Sequence, residues 1–462
     1  MQNNQQERCL HDKLECGMMS APSYSIKNSV LDIKVNSVLF YFALLAFKLI
    51  LDFSYVKIIF PQYEYMGFVF VQDGMKVFSG LVLFFIMMFF IPNKLDKPSN
   101  ILSLCLVIIT YIPALTIFSY GDATYGFIFM NTAFWIVLLS VIKILPTVSF
   151  PNPNPKVCKV IFISVIVLIC FYCCFSVIKA FGFHFNFNIF DVYEQREKYK
   201  AASIPFSAYL FTWSSNVILP MGFMYLIQKK KYFLSLFPIV TLLLLFSATG
   251  MKSMLFTIPI VLIFAAFLKL KDVNLYLMAT LVLASIACIV AFSYFDQIMP
   301  ISLLIRRVFL VPARISQYYY DFFIEAGQIQ LSHSIFSGLS NYRFEVEPAQ
   351  FISKIFVGTT SNFNSGIIAD GFCNFGFIGV FCWSVFTAFV FKLMDCVSKN
   401  KNKSIVIAGI IMFISSLSNS ALITNLGTHG MTIAIVMLYI LPPEQKKEPV
   451  NENLHHDKRA SL

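Results

Sequence analysis

The chain is short of charge. Asp, Glu, Lys and Arg make up only 13% of its 462 residues, whereas 58% are hydrophobic, a balance that excludes a water-soluble globule. Arginine is scarcer still, with seven in the whole sequence. No glycine-rich phosphate loop of the Walker or dinucleotide type occurs, and none of the usual His/Cys metal-ligand spacings, so neither nucleotide-driven work nor a bound metal or other cofactor is expected. Cys170 and Cys173 have redox-like spacing, but they sit beside Cys174 in an apolar run and are read as packing. The first thirty residues are polar and hold no cleavable leader pattern.

What is abundant is apolar sequence in runs of membrane-spanning length. Such runs cover 36–57, 75–91, 101–119, 125–145, 160–183, 203–228, 233–249, 254–270, 275–295, 366–393, 404–426 and 429–441. They predict an all-α, polytopic integral membrane protein with about 12 transmembrane helices. Residues 1–34 and 442–462 are its tails and 35–441 its single membrane domain. Outer loops fall at 184–202 and 296–365, the larger lying between helices 9 and 10.

Lysine gives the orientation. It crowds the segments after even-numbered runs, as in Lys229, Lys230 and Lys231 or Lys399, Lys401 and Lys403. Those segments are predicted to be cytoplasmic, as are both termini. The net charge of +11 is then mainly an orientation signal, and no nucleic-acid partner is expected.

Arginine departs from that pattern. Arg196, Arg306, Arg307, Arg314 and Arg343 all fall in the two predicted outer loops. A planar guanidinium fork suits phosphate oxygens. The adjacent Arg306 and Arg307 fit a lipid diphosphate at headgroup depth, although an interfacial helix touching lipid headgroups would also carry such residues. From Ala313 onward, Arg314, Tyr318, Asp321 and Glu325 share one helical stripe, and Ile315, Tyr319 and Phe322 another, which predicts an interfacial amphipathic helix. In the smaller loop Glu194 faces Lys198 at helical spacing, beside Tyr193. Lys252 stands at an outer turn as a further anion contact, and His333 is the natural proton acceptor for a hydroxyl. Asp370 lies near the outer end of its span, where an ionisable group is expected to line a cavity. Lys48 and Asp52 are expected to pair within the first span.

Several strings resemble one family. Asp191-Val-Tyr-Glu-Gln-Arg-Glu-Lys-Tyr199, followed by Pro205 and Tyr209-Leu-Phe-Thr-Trp213, is similar to the third outer loop of O-antigen polymerases, the oligosaccharide repeat-unit polymerases called Wzy. Thr249-Gly-Met-Lys-Ser253 resembles their Gly-x-Lys-Ser turn. Arg306-Arg-Val-Phe-Leu-Val-Pro-Ala313 with Tyr318-Tyr-Tyr-Asp-Phe-Phe323 resembles their long-loop signature, and Asn364-Ser-Gly-Ile-Ile-Ala-Asp-Gly371 with Gly376 and Gly379 their next span. The likeness runs from about residue 185 to 395.

The resemblance implies a fold like that of C-type glycosyltransferases and a metal-independent transfer on the outer face of a bacterial cytoplasmic membrane. A growing glycan would pass from undecaprenyl diphosphate to the non-reducing-end hydroxyl of a lipid-linked repeat. Catalytic roles would go to His333, Arg196 and Arg306, and substrate contacts to Arg307, Arg314, Lys252, Tyr193, Tyr319, Asp321 and Asp370. The implied partners are the lipid-linked oligosaccharide, the bilayer, and a chain-length regulator and flippase of the same pathway. The alternatives are a flippase for the same lipid, or an O-acyltransferase using His333.

Overall fold

The computed structural model describes residues 23–444 except 152, 183–185, 189–191, 203, 205 and 340; the side chains of 23–34, 192, 193 and 339 are also outside the description. The described backbone is helical, without strands. In chain order the helices are α1 (Val35–Met66), α2 (Gly74–Met88), α3 (Pro98–Tyr120), α4 (Tyr125–Ile144), α5 (Pro155–Phe181), α6 (Val192–Ala201), α7 (Ser207–Gln228), α8 (Leu236–Thr249), α9 (Ser253–Phe267), α10 (Val273–Phe295), α11 (Val311–Ala326), α12 (Pro348–Val357), α13 (Ile367–Val397), α14 (Lys403–Asn419) and α15 (Leu422–Ile440). Eight of them, namely α1, α3, α4, α5, α7, α10, α13 and α15, are long and apolar enough to cross a membrane. Helices α2, α8, α9 and α14 are apolar but shorter. Helical backbone continues upstream of α1 as far as Ser23, into what the sequence reads as a polar tail.

Helix ends follow local chemistry. Asp73 caps α2 through Met75 N and Lys76 N, and Asn154 caps α5 ahead of Pro155. Gly250, at φ +62°, closes α8 in the left-handed conformation. Helix α6 carries the Glu194–Lys198 pair at 2.7 Å. Lys48 and Asp52 pair inside α1, and Thr116 of α3 donates to the same carboxylate at 2.7 Å. That satisfies a charge pair placed among apolar side chains.

Helix α13 is interrupted. Phe375 (φ −142°) and Gly376 (φ +62°) leave the helical region, and a side chain at Gly376 would be strained. The break frees the carbonyls of Cys373 and Asn374. They accept from Ile329 N at 2.9 Å and Gln330 N at 3.1 Å, while Asn374 Oδ1 accepts from Leu331 N at 2.8 Å. The segment after α11 is thereby fastened to α13.

Asp370 closes the same region from the other side. Its carboxylate accepts from Asn374 Nδ2 at 3.0 Å, Trp383 Nε1 at 2.7 Å and Leu422 N at 2.9 Å, joining both parts of α13 to the start of α15. At 2% exposure it is a buried structural group rather than part of a cavity wall, in contrast to the sequence expectation.

The long segment between α10 and α13 also differs from expectation. After one α-helical turn, Ile298–Ile301, it continues as a π-helical run, Ser302–Leu310, that leads into α11. Arg314, Ile315, Tyr318, Tyr319, Tyr320 and Phe323 of α11 are all buried. Helix α11 is therefore enclosed by its neighbours instead of presenting an arginine face at an interface.

Asp370→Ala is expected to strand three donors, each worth about 1–3 kcal/mol when buried without an acceptor. Its thermal midpoint in detergent should fall well below that of wild type, with Asp370→Asn, which keeps one oxygen, in between. Equal midpoints for Asp370→Ala and wild type would refute the role given to this carboxylate.

Candidate functional site

A cavity of about 1080 Å³ opens between α3, α9, α10, α14 and the π-helical run. Its inner wall is apolar, with Ile108, Phe264, Leu281 and Ile411, and the apolar lining continues to the exposed Phe256. Its mouth is polar, with Arg306, Arg307, Ser253, Asn362, Asn364 and Asn419. Lining residues run from Ser253 to Phe267 along α9, a rise of about 21 Å at 1.5 Å per residue. The space is therefore a deep apolar groove with two guanidinium groups at one end.

Neutral groups hold Arg306. Its Cζ lies 4.4 Å from the centre of the Tyr63 ring, Nε donates to Ser302 Oγ at 3.0 Å, and Nη1 stands 3.1 Å from Met66 Sδ. Among the described residues neither Arg306 nor Arg307 forms a salt bridge. An aromatic face orients a cation without neutralising it, so both charges remain available to an anion in the mouth.

Arg314 has the opposite surroundings. Buried to 4% exposure, it binds Asp122 through both terminal nitrogens, Gln317 Oε1 at 2.6 Å, and the Tyr318 ring at 4.7 Å. Burial works against its charge, but the bond to Asp122 and the neighbouring Tyr318 raise its pKa overall. Burial likewise works against Asp122, yet the Arg314 guanidinium holds that carboxyl below the usual range. Gln317 Nε2 donates to Asp122 at 3.0 Å and to Asp321 at 3.1 Å. Asp321 is pushed up to about 6, mainly by burial and also by the charge of Asp122. Arg314 and Asp321 are thus joined through Gln317 in one hydrogen-bonded network with Asp122, and neither lines the large cavity.

The remaining residues singled out from sequence are dispersed. Arg196 is exposed on α6, which packs on α8 beside a separate cavity of about 370 Å³ lined by Asn186, Glu194, Gln195 and Lys198. The side chain of Tyr193 lies outside the described residues. Lys252 is exposed directly before Ser253, at the edge of the large cavity. Tyr319 is buried, and its hydroxyl donates to Phe363 O at 2.9 Å, which fixes the strip carrying Asn362 and Asn364. His333 is half-buried beside Tyr342, with ring centres 6.1 Å apart, and its Nδ1 has no partner. Burial pushes its pKa down, against the charge of Glu347. His333 is not on the cavity wall. Arg196, Arg306 and His333 are therefore in three separate surroundings, and the cavity itself brings together Arg306 and Arg307, with Lys252 adjoining.

Sequence reasoning missed Tyr63, Asp122 and the amides at the mouth. Asp122 was visible as the lone carboxylate between the apolar runs 101–119 and 125–145; the amides gave no signal. It also passed over His429, whose Nε2 lies 3.1 Å from Ser420 Oγ, one residue beyond Asn419. Among the described residues no three His, Cys, Asp or Glu side chains are grouped to hold a metal ion.

Comparison of the chain with protein-family models, curated proteins and solved structures finds no match.

A carboxyl whose pKa is raised by folding is held protonated more tightly in the folded state. Its unfavourable contribution is present above about 6 and disappears as pH falls towards the unfolded value near 4. Asp321→Asn, which still accepts from Gln317, is therefore expected to raise the thermal midpoint at pH 7.5 and to change it little at pH 4. A larger gain at pH 4 would contradict the sign.

Proposed function

We propose that the protein is a polysaccharide polymerase, a glycosyltransferase that uses a lipid-diphosphate-linked glycan as donor and a lipid-linked repeat unit as acceptor. The observation that carries this reading is the deep apolar groove with the unpaired Arg306 and Arg307 at its mouth. A polyprenyl chain matches the groove, and a diphosphate matches the paired guanidinium forks. The resemblance of the two arginine-bearing segments to repeat-unit polymerases adds to it.

In this proposal the four shorter apolar helices also cross the membrane, bringing the crossings to twelve, with both termini in the cytoplasm. The cavity mouth then faces the outer side of a bacterial cytoplasmic membrane, and the donor is undecaprenyl diphosphate. The acceptor hydroxyl oxygen bonds to C1 of the donor sugar as the bond from C1 to the diphosphate oxygen breaks. Negative charge grows on the departing diphosphate, where Arg306 and Arg307 stabilise it. The hydroxyl proton passes by way of water to His333, which does not itself line the cavity; the His429 Nε2 is engaged by Ser420. Arg196 and Lys252 contact the glycan or lipid phosphate at the periphery.

A flippase for the same lipid is the second reading, favoured by the extension of the groove along the whole of α9.

The test is a polysaccharide ladder gel from cells lacking the gene and complemented with variants of equal membrane abundance. Loss of one preorganised charge contact costs about 10²- to 10³-fold in rate, so Arg306→Ala and Arg307→Ala should leave core capped by a single repeat. His333→Gln should do the same. Normal ladders from both arginine variants would sink the polymerase reading. Loss of even the single-repeat species would instead favour the flippase.

A further inference from the structure

The far end of the groove has a cationic cavity of its own. It measures about 460 Å³ and forms where the segments preceding α3, following α9 and joining α13 to α14 meet. Lys97, Lys399, Lys401 and Lys403 line it together with Leu95, Ile101, Leu268 and Val406. Along three helices its lining residues nearly adjoin those of the apolar groove: Ile101 precedes Cys105 by one turn, Leu268 follows Phe267, and Val406 precedes Ile411.

Two helices begin at this cavity, α3 at Pro98 and α14 at Lys403. Helix N-termini carry partial positive charge and favour anions. One anion is already there: the Asp395 carboxylate binds Ser99 N at 2.9 Å and Ser99 Oγ at 2.6 Å. The lysines are not neutralised in the same way. Among the described residues none of the four forms a salt bridge. Lys401 is directed to the carbonyls of Leu441 and Tyr439, and Lys399 to Ser149 Oγ at 3.1 Å, while Lys97 and Lys403 are exposed. Asp96, the other acid on the wall, accepts from Asn100 at 2.9 Å.

Membrane orientation explains lysine in such segments, but here Lys97, from the segment before α3, meets Lys399, Lys401 and Lys403, from the link between α13 and α14, on the wall of one cavity. Lys229, Lys230 and Lys231, by contrast, follow one another along an exposed turn and line none of the cavities described above. We infer that the lysine cavity is a phosphate-binding site, occupied either by the headgroup of an anionic lipid or by a free phosphate ester. Its apolar side, which nearly adjoins the groove, offers a place for acyl chains, and ammonium groups near a bilayer surface attract anionic headgroups. This site is independent of the polymerase reading, since it lies at the other end of α9 from Arg306.

The experiment is native mass spectrometry of the full-length protein in detergent micelles doped with phosphatidylglycerol or phosphatidylcholine. Wild type is compared with Lys97→Gln/Lys399→Gln/Lys403→Gln and with the control Lys229→Gln/Lys230→Gln/Lys231→Gln. Wild type and control should retain phosphatidylglycerol over phosphatidylcholine, and the cavity variant should lose about ten-fold or more of that retention. Lys403→Gln alone, the milder change, should lose several-fold and guards against misfolding of the triple variant. Displacement by millimolar glycerol phosphate would identify the phosphate group itself as the ligand. Retention lost in the variant but resistant to glycerol phosphate would identify the lipid. Equal retention by wild type, both triple variants and the single variant, or no preference for phosphatidylglycerol in wild type, would overturn the proposal.

Discussion

A helix broken inside an apolar bundle must find new partners for the backbone groups it releases, and the region around the break in α13 is arranged around that requirement. The break at Phe375 and Gly376 is met by the backbone of Ile329 and Gln330, and the Asp370 carboxylate bridges the break to α15. The strip that supplies Asn362 and Asn364 to the cavity mouth runs straight into α13. It is held from the opposite side by the Tyr319 hydroxyl. A wall of the candidate site therefore depends on hydrogen bonds made by residues that never reach the cavity.

Charge compensation separates the arginines more sharply than position does. Arg314 is enclosed with a carboxylate, an amide and an aromatic ring, so its charge is consumed in holding α11 to the loop between α3 and α4. Arg306 rests on Tyr63, Ser302 and Met66, none of which carries opposite charge. Positioning without neutralisation suits a group that acts on charge appearing elsewhere. The lysine cavity repeats this condition at the far end of the groove, with ammonium groups in place of guanidinium.

Much of the helical frame was legible in the sequence, because apolar runs and capping residues are local signals. The Glu194–Lys198 and Lys48–Asp52 pairs were legible for the same reason, each lying four residues apart on one helix. The site was legible only in part. Arg306 and Arg307 were marked by residue type and location. The partner of Arg314 was not, because Asp122 is 192 residues away and the contact depends on how α11 packs. Asp370 misled for a related reason: its three donors come from Asn374, Trp383 and Leu422, and only folding brings the third within reach. The same holds for Tyr63 beneath Arg306.

Arg307 and Arg314 are seven residues apart, an interval that returns to nearly the same face of a regular α-helix. Here one lines the cavity and the other turns towards Asp122. Arg307 lies inside the π-helical run Ser302–Leu310, in which the same number of residues makes fewer turns, whereas Arg314 lies in α11 beyond its end. The division of labour between the two arginines is thus set by winding rather than by interval. Deleting a single residue from that run after Arg307 would rephase one arginine against the other while leaving both arginines in the sequence. Chain length is consequently as much a part of this stretch's specification as the identity of its arginines.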